Sequence, residues 1–469
     1  MKILLRRLIF IFLGLAVLVA IFYAEEDWRG KRAWERCKRE LEAKGEVLDW
    51  NAYIPPSVPD DQNFFKAPKM AAWFVKLPAM PNRWLSTNDF NESEAFSKRF
   101  YSNTNTTATI TTEPAARDYL AWSDQFQPDF DLMREALKRP YARMDGDYSI
   151  PYQMPIPNFV NVRNVAQVLA QRAKCDLLLG QPDKALQELT LLHDMCRLLE
   201  AAPTGKPMTL VAAMINVAVI GLYVDTLATG LQSHAWQEPQ LAALQEQLKE
   251  INLTPFVFGA LQEEPASLCR TAQTAWIPKI FDLTSPTKWT ERFRLWRWWL
   301  WPRGWTYQNM VNVAMLGQKP LEGFDLAHDT VAPRKFEEAS REVDKFLRHK
   351  SPYKLLAAIA IPNSTKAEQT TAHNQTMVNE AQIVCALERY RLAHGEYPET
   401  LDALSPQFIG KIPHDIIGGK PLIYRPIADG KFLLYSIGWN EKDDGGQQET
   451  PKTTNGAVDF TKGDWVWKN

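Results

Sequence analysis

The sequence lacks an excess of either charge. Its 469 residues carry 54 Lys and Arg against 55 Asp and Glu, which gives a formal net charge of −1. A protein that works mainly on nucleic acid is expected to show a clear basic excess. The balance therefore argues against nucleic acid as a partner.

Glycine is also scarce, with 22 residues against 31 prolines. Flexible linkers and low-complexity chains are built from glycine, serine and similar small or polar residues. Here hydrophobic residues make up 45% of the chain, and 17 residues are tryptophan. This composition excludes a flexible linker protein and predicts a well-packed chain with many rigid turns.

Cysteine is too rare and too widely spaced for a disulfide framework. An odd number at irregular spacing does not provide the paired pattern of small secreted domains. We expect buried free thiols, with a pairing of Cys175 and Cys196 across a helical hairpin as the alternative. The five residues are Cys37, Cys175, Cys196, Cys269 and Cys385.

The sequence contains no familiar catalytic motif. It has no H-E-x-x-H, no G-x-S-x-G and no C-x-x-C, the patterns that place zinc ligands, a nucleophilic serine or a redox pair. His414 precedes Asp415 in a turn, where we expect a structural role rather than acid–base catalysis. We therefore expect a protein that is not an enzyme and assign no catalytic residue.

The strongest positive signal is at the N-terminus. Three basic residues within the first seven precede an uncharged apolar run over residues 8–24. At about 1.5 Å per residue, this run reaches the short end of what crosses a bilayer core of roughly 30 Å. The pattern predicts a transmembrane signal-anchor within residues 1–30. A cleaved signal peptide is the alternative, although the aromatic side chains of Phe22 and Tyr23 make a poor cleavage site.

The charges around the span also predict its orientation. Basic residues before a span favour a cytoplasmic N-terminus. More basic residues follow the span, between Arg29 and Arg39, but long domains cross the membrane largely regardless of such charges. We expect a single-pass protein of the cell inner membrane with most of the chain outside the cytoplasm, and contact with the lipid bilayer through residues 8–24.

The rest of the chain divides by composition into three parts. Residues 31–117 indicate a helical stalk followed by an irregular segment rich in proline and aromatic residues. Residues 118–370 show mainly the helical spacing of apolar side chains. Residues 371–469 combine one helix with short strands.

Two features stand out within residues 118–370. Gly180 and Pro182 mark the turn of an αα-hairpin, with Asp183 as the N-cap of the second helix. The apolar run over residues 208–224 is long enough for a second membrane span. Its small residues and the interrupting Asn216 favour a buried central helix instead.

Six of the 17 tryptophans lie in one segment, from Trp289 to Trp305. Tryptophan beside arginine is the composition expected at a membrane–water boundary. A core helix with arginines stacked on indole rings is the other interpretation. In either case we expect Pro302 and Gly304 to end the helix.

The C-terminal residues 371–469 contain an ordered series of turns. A helix ends near Gly395, and strands are expected over residues 421–425, 431–436 and 464–467 as an antiparallel meander. The turn Gly395-x-Tyr397-Pro398 follows the helix, and a strand with Tyr435-Ser436-x-Gly438 precedes an acidic loop. Together these features resemble the globular domain of the major pseudopilins of bacterial type II secretion systems. The remainder of the chain, with RGKRAWERCKRELEAKG at residues 29–45, is similar to uncharacterised membrane-anchored proteins of planctomycete- and verrucomicrobium-type bacteria.

The pseudopilin resemblance implies a calcium site, because that family binds calcium in the loop after this strand. Calcium takes six to eight oxygen ligands. An acidic loop that stays solvated without metal is the alternative, and no other cofactor is implied. The corresponding oxygens here come from Asn440, Asp443 and Asp444, completed by Asp464 or Asp459.

These observations predict an α+β protein that is predominantly α-helical. Its parts are an N-terminal transmembrane helix, a helical domain with αα-hairpins and a small C-terminal domain of one helix and an antiparallel sheet. We expect a membrane-anchored envelope protein that binds or scaffolds a protein partner or takes part in secretion. The alternative is an envelope enzyme with a site assembled from distant residues, which requires a deep pocket with convergent His, Asp or Glu side chains.

Overall fold

Helices dominate the structure, a computed structural model, and confirm the predicted fold class. The helices are α1 (Lys2–Glu42), α2 (Met70–Phe74), α3 (Thr87–Tyr101), α4 (Glu113–Ser123), α5 (Gln127–Ala136), α6 (Phe159–Leu178), α7 (Pro182–Asp194), α8 (Leu210–Gln232), α9 (Glu238–Glu250), α10 (Leu253–Thr274), α11 (Arg303–Gly317), α12 (Pro333–Leu347), α13 (Leu355–Ala360) and α14 (Thr365–His394). The strands are β1 (Val75–Lys76), β2 (Ile156–Pro157), β3 (Phe324–Asp325), β4 (Thr330–Val331), β5 (Ile423–Ile427), β6 (Lys431–Ser436) and β7 (Trp465–Val466). The residues that the structure describes are 2–76, 87–101, 110–200, 209–274, 301–349, 351–361, 364–427, 430–448 and 459–468.

The first helix has two different halves. Its apolar half is exposed along its whole length and is long enough to cross a membrane. Its polar half packs on α11 and buries Trp34, Cys37 and Leu41 in a hydrophobic cluster that also contains side chains of α10, α12 and α13. One continuous helix therefore joins an apolar, unpacked segment to the core of the folded body.

Two glycines let α1 and α11 touch through their backbones. A Cβ atom on Gly30 would lie 2.4 Å from the carbonyl oxygen of Gly304, and a Cβ on Gly304 would lie 2.0 Å from that of Glu26. Both distances are far shorter than any van der Waals contact. Glycine is required at these positions because only a residue without a side chain allows this approach.

Polar groups also stabilise the contact between α1 and α11. The Asp27 carboxylate accepts a hydrogen bond from the backbone amide of Gly304 at 2.7 Å. The buried Glu26 carboxylate accepts from Arg29 at 2.5 Å and from the Tyr353 hydroxyl at 3.2 Å. The Asp27 charge also compensates the positive end of the α11 dipole, because Gly304 lies in the first turn of that helix.

The expected helix of the tryptophan-rich segment falls largely on residues 289–300, which lie outside the described residues, so its end at Pro302 and Gly304 stays a prediction. The described part begins a new helix: Pro302 is the N-cap residue of α11, and Gly304 lies in the first turn. Trp305 packs edge-to-face on Phe22 of the apolar half of α1, with ring centroids 6.5 Å apart.

The body is organised around α8 and α14. Both helices pack against each other and against α10, and α8 also packs against α6. Helix α8 contains the second apolar run and is also long and apolar enough to cross a membrane, but over half of its apolar window is buried inside the fold. Asn216 is buried as well. The run therefore forms the buried central helix that its composition favoured.

The predicted αα-hairpin is present as α6 and α7. Gly180 adopts the left-handed conformation at φ 70°, which ends α6 and turns the chain. The expected N-cap is wrong by two residues, because Gln181 is the N-cap and Pro182 starts α7. Asp183 lies in the first turn, where an acid also suits the helix dipole, and its carboxylate accepts a hydrogen bond from Gln240 at 2.6 Å.

The segment read as irregular contains ordered helices. Residues 62–115 include α2, α3 and the start of α4. Phe96 of α3 stacks on Trp73 of α2 with ring centroids 4.5 Å apart, and Phe100 stacks on Phe126 at 4.2 Å. Aromatic packing therefore orders a stretch whose composition resembles that of a loop.

The C-terminal residues form the predicted helix and antiparallel meander. Helix α14 ends at Gly395, which is left-handed at φ 88°, and the sheet order is β5-β6-β7. Side chains from α14 and this sheet share the main hydrophobic core with α6 to α10. The predicted boundary between residues 370 and 371 falls within α14, and the division of the chain into domains stays a prediction.

All five cysteines are buried and free. The expectation of buried thiols is confirmed, and Cys175 and Cys196 are not paired. Burial raises the pKa of the Cys196 and Cys385 thiols far above the usual range. These groups therefore act as small hydrophobic side chains.

Substituting Gly304→Ala should separate α1 from α11. The new Cβ would meet backbone atoms of Glu26, which cannot move independently of α1, and overpacking of this kind costs about 1–3 kcal/mol. We expect a lower thermal midpoint of the detergent-solubilised protein by calorimetry. The matched control is Gly410→Ala, where the added Cβ meets nothing within 4 Å. Equal midpoints for the two variants would contradict the role given to the glycine contact.

Candidate functional site

A cleft of about 730 Å³ lies where α7, α8, α9 and α10 meet. This volume is in the range of small-ligand sites. Its wall combines three acids, one arginine, one histidine, two amides and apolar side chains. The lining residues are His193, Asp194, Cys196, Arg197, Glu200, Asn216, Ile220, Glu250, Ile251, Asn252, Leu253, Pro255 and Phe256.

The chain after α7 positions the charged side chains. Helix α7 ends at Asp194 and continues as a short 3₁₀ helix over Met195–Leu199. Met195, Leu198 and Leu199 are buried in the core. Because the apolar side chains of this turn point inward, the polar ones between and beside them line the cleft.

His193 sits between two carboxylates. Its Nδ1 atom lies 3.5 Å from the Asp194 carboxylate, and its Nε2 atom lies 3.9 Å from that of Glu250. The ring packs on the buried ring of Tyr223, with centroids 5.9 Å apart. An imidazole beside two carboxylates can exchange a proton with a bound molecule.

Glu200 provides a second proton-exchanging group in the same cleft. Burial raises the pKa of its carboxyl to about 7, opposed by the nearby positive groups of Arg197 and His193. The Arg197 guanidinium donates to the Leu137 carbonyl at 2.8 Å, which fixes its position. A carboxyl that titrates near neutral pH beside an imidazole is a feature found at functional sites.

Sequence reasoning missed this cleft. The one available signal was the adjacent pair His193-Asp194, which has the same pattern as His414-Asp415. Nothing in the sequence connected this pair to Glu250 or Asn252, because tertiary packing of α9 and α10 brings them together.

The pair that the sequence singled out has a structural role, as expected. His414 Nε2 contacts the carbonyl oxygen of Asp329 at 3.0 Å. Asp415 accepts hydrogen bonds from the Ser436 hydroxyl at 2.8 Å and from the backbone amide of Ile417 at 2.8 Å. Burial raises the pKa of Asp415 to about 6. The two side chains serve different partners, which agrees with the expected structural role.

The turn after α14 also has a structural role. The Tyr397 hydroxyl donates to the buried carboxylate of Glu388, which also accepts from Arg391 at 2.8 Å and lies 3.2 Å from His234 Nδ1. This arrangement joins the end of α14 to the end of α8. The Gly395-x-Tyr397 pattern therefore reports a stabilised helix end.

Hydrogen bonds link some of the predicted calcium ligands in the acidic loop after β6. Asp464 accepts hydrogen bonds from the backbone amides of Asp444 and Gly446, at 3.1 and 2.7 Å. Its pKa is raised by burial and further by the charges of Asp444 and Asp443. Asn440 donates to the Asp444 carboxylate at 2.8 Å.

The fit of this loop to calcium is partial. Asp443 already accepts from the Tyr435 hydroxyl at 3.0 Å and from the Gly445 amide at 2.9 Å. Asp459 accepts a hydrogen bond from the Thr461 hydroxyl in its own turn. Within the described ranges, no group of three or more His, Cys, Asp or Glu side chains could hold a metal ion. Backbone carbonyls and water would have to supply most of the six to eight oxygens, and the calcium site stays a prediction.

Comparison with known proteins returned no family model, curated protein or solved structure that matches this chain.

The raised pKa of Glu200 predicts a pH-dependent stability. The unfolded carboxyl loses its proton near pH 4.5 and the folded one near pH 7, so the folded state holds the extra proton between these values. Its contribution to the free energy of unfolding therefore falls as pH rises through this window, by about 3 kcal/mol at 1.36 kcal/mol per pKa unit. Relative to the native protein, Glu200→Gln should become more stable between pH 5 and pH 8, as measured by denaturant unfolding.

Comparison with the native protein at each pH is needed because other buried carboxyls, such as those of Asp176 and Glu368, shift in the same direction. The control is Glu250→Gln, which removes a cleft carboxylate whose side chain is 73% exposed. An unchanged pH slope in Glu200→Gln would contradict the proton assignment.

The calcium prediction has a direct test in the full-length protein. If the acidic loop binds calcium, millimolar calcium should raise the thermal midpoint of the chelator-treated protein, and magnesium should not reproduce the effect. The double variant Asp443→Asn/Asp444→Asn should lose the shift, whereas Asp459→Asn should keep it. A native protein whose midpoint does not respond to calcium would remove the site.

Proposed function

We propose that this chain is a single-pass protein of the bacterial inner membrane that holds a ligand- or partner-binding body at the outer surface of that membrane. Residues 8–24 serve as an uncleaved anchor in the lipid bilayer. The body lies outside the cytoplasm and works by binding or scaffolding.

The observation that carries the proposal is the unbroken course of α1. The apolar half is exposed, as a membrane-spanning segment requires, and the same helix continues to Glu42 inside the packed body. Phe22 contacts Trp305, and Glu26 is buried. Cleavage near residue 24 would cut through a helix whose contacts extend to both sides of the cut, which supports an anchor over a removed signal sequence.

The cleft supports a binding role for the body. It offers hydrogen-bond donors and acceptors, including the amides of Asn216 and Asn252, beside an apolar wall that includes Phe256. Pockets with a few convergent polar groups on an apolar wall are the usual form of ligand sites. The secretion-related part of the role is supported only by the resemblance of residues 371–469 to pseudopilins, and assembly with a protein partner is part of that proposal.

An envelope enzyme is the second candidate, and the geometry around His193 favours it. In that case His193 acts as a general base beside Asp194, and Glu200 acts as the acid. The pH dependence of Glu200→Gln bears on this candidate as well, because the acid must titrate near neutral pH.

Membrane topology tests the proposal. We expect the protein to resist extraction with sodium carbonate, and deletion of residues 2–24 to release it. In intact spheroplasts a membrane-impermeant maleimide should label His328→Cys in the body, where the histidine side chain is 78% exposed, and should not label Ile3→Cys. The native protein is the control, because its five thiols are buried.

Lysis should make Ile3→Cys accessible to the same reagent. Labelling of Ile3→Cys but not His328→Cys in intact spheroplasts would reverse the orientation. Release of the full-length protein by carbonate would overturn the anchor itself.

A further inference from the structure

A groove of about 500 Å³ runs along α1 immediately after its apolar half. We call it the juxtamembrane groove. One side consists of the α1 residues Trp28, Arg29, Arg32 and Arg36, and the other is the surface of α11 with Val311 and Met315. The groove therefore has basic side chains along one wall and apolar side chains along the other.

The basic wall carries one arginine without an acidic partner. Arg29 pairs with Glu26, and Arg36 lies 4.0 Å from Glu40 at the far end of the groove. Arg32 forms no salt bridge within the part of the chain that the structure describes, and its guanidinium lies over the Trp28 ring at 5.4 Å from the centroid. Its charge is open to an anionic ligand.

The apolar parts of the groove are unusually exposed. The side chain of Trp28 is 63% exposed and that of Met315 is 46% exposed. A solvent-exposed tryptophan of this kind is unfavourable in water but typical of the boundary between lipid and water.

The position of the groove along α1 matches the headgroup layer. With the span ending near residue 24, Trp28 lies about 6 Å and Arg32 about 12 Å further along the helix. Helical side chains lean toward the N-terminus of their helix, which here is the direction of the membrane. The Arg32 guanidinium can therefore reach down to the phosphate level, where long basic side chains commonly extend.

We propose that the juxtamembrane groove binds one anionic phospholipid at its membrane-facing end, with the headgroup phosphate at Arg32 and Arg29 beside the exposed ring of Trp28. Charge complementarity and continuity with the span select this occupant. The inference rests on the proposed function, because it needs residues 8–24 in a bilayer.

The test uses the full-length protein in mild detergent, mixed with either phosphatidylglycerol or phosphatidylcholine, and counts retained lipids by native mass spectrometry. We expect preferential retention of one phosphatidylglycerol molecule. Arg32→Gln should weaken this retention by roughly fivefold, the effect of one basic side chain near an anionic lipid surface. Arg39→Gln is the matched control, since it removes the same charge from an exposed position on the same helix outside the groove.

Two results would contradict the lipid site. Equal retention of the two lipids by the native protein, or equal losses in Arg32→Gln and Arg39→Gln, would overturn the groove as a specific site. Carbonate extraction of the membranes from which each protein is purified distinguishes this failure from failure of the anchor. A protein that stays in the membrane but shows no lipid preference refutes the lipid site alone.

Discussion

The backbone contact between α1 and α11 is the constraint on which the rest of the architecture depends. Two helices that pack through side chains are usually 8–10 Å apart, whereas here Gly30 and Gly304 allow their main chains to touch. This proximity lets the Gly304 amide donate a hydrogen bond to the Asp27 carboxylate and lets the Trp305 ring pack on the Phe22 ring. Helix α11 in turn packs on α10 and α13, so this crossing fixes the position of the apolar half of α1 relative to the body.

Burial of carboxyl groups is the second recurring theme of the fold. Glu380 is completely buried, and desolvation together with the charge of Asp415 raises its pKa well above the usual range. Glu368 and Glu200 shift upward for the same main reason. These side chains hold protons that isolated carboxyls would release, so the folded chain carries less negative charge than its formal net charge of −1 implies.

The elements with strong periodicity or clear punctuation were predictable. Helix α8, the turn at Gly180 and the C-terminal meander follow from apolar spacing and from glycine, because local physics alone sets these features. Helix α3 was not predictable, since two of its aromatic residues, Phe96 and Phe100, are stabilised by aromatic rings from other segments. The cleft was out of reach for a related reason: its charged groups come from positions between 193 and 250, and only the packing of four helices brings them together.

The continuity of α1 also determines how the body can move. A domain joined to a membrane anchor by a flexible linker can take many orientations above the membrane. A helix that is packed into the domain at one end and inserted in lipid at the other provides no flexible hinge between them. With residues 8–24 in a bilayer, the body stays at one distance from the membrane surface and rotates about the membrane normal. Encounters with other proteins of the same membrane then become a two-dimensional search at fixed height. The approaches differ only in the rotation of the body about the membrane normal.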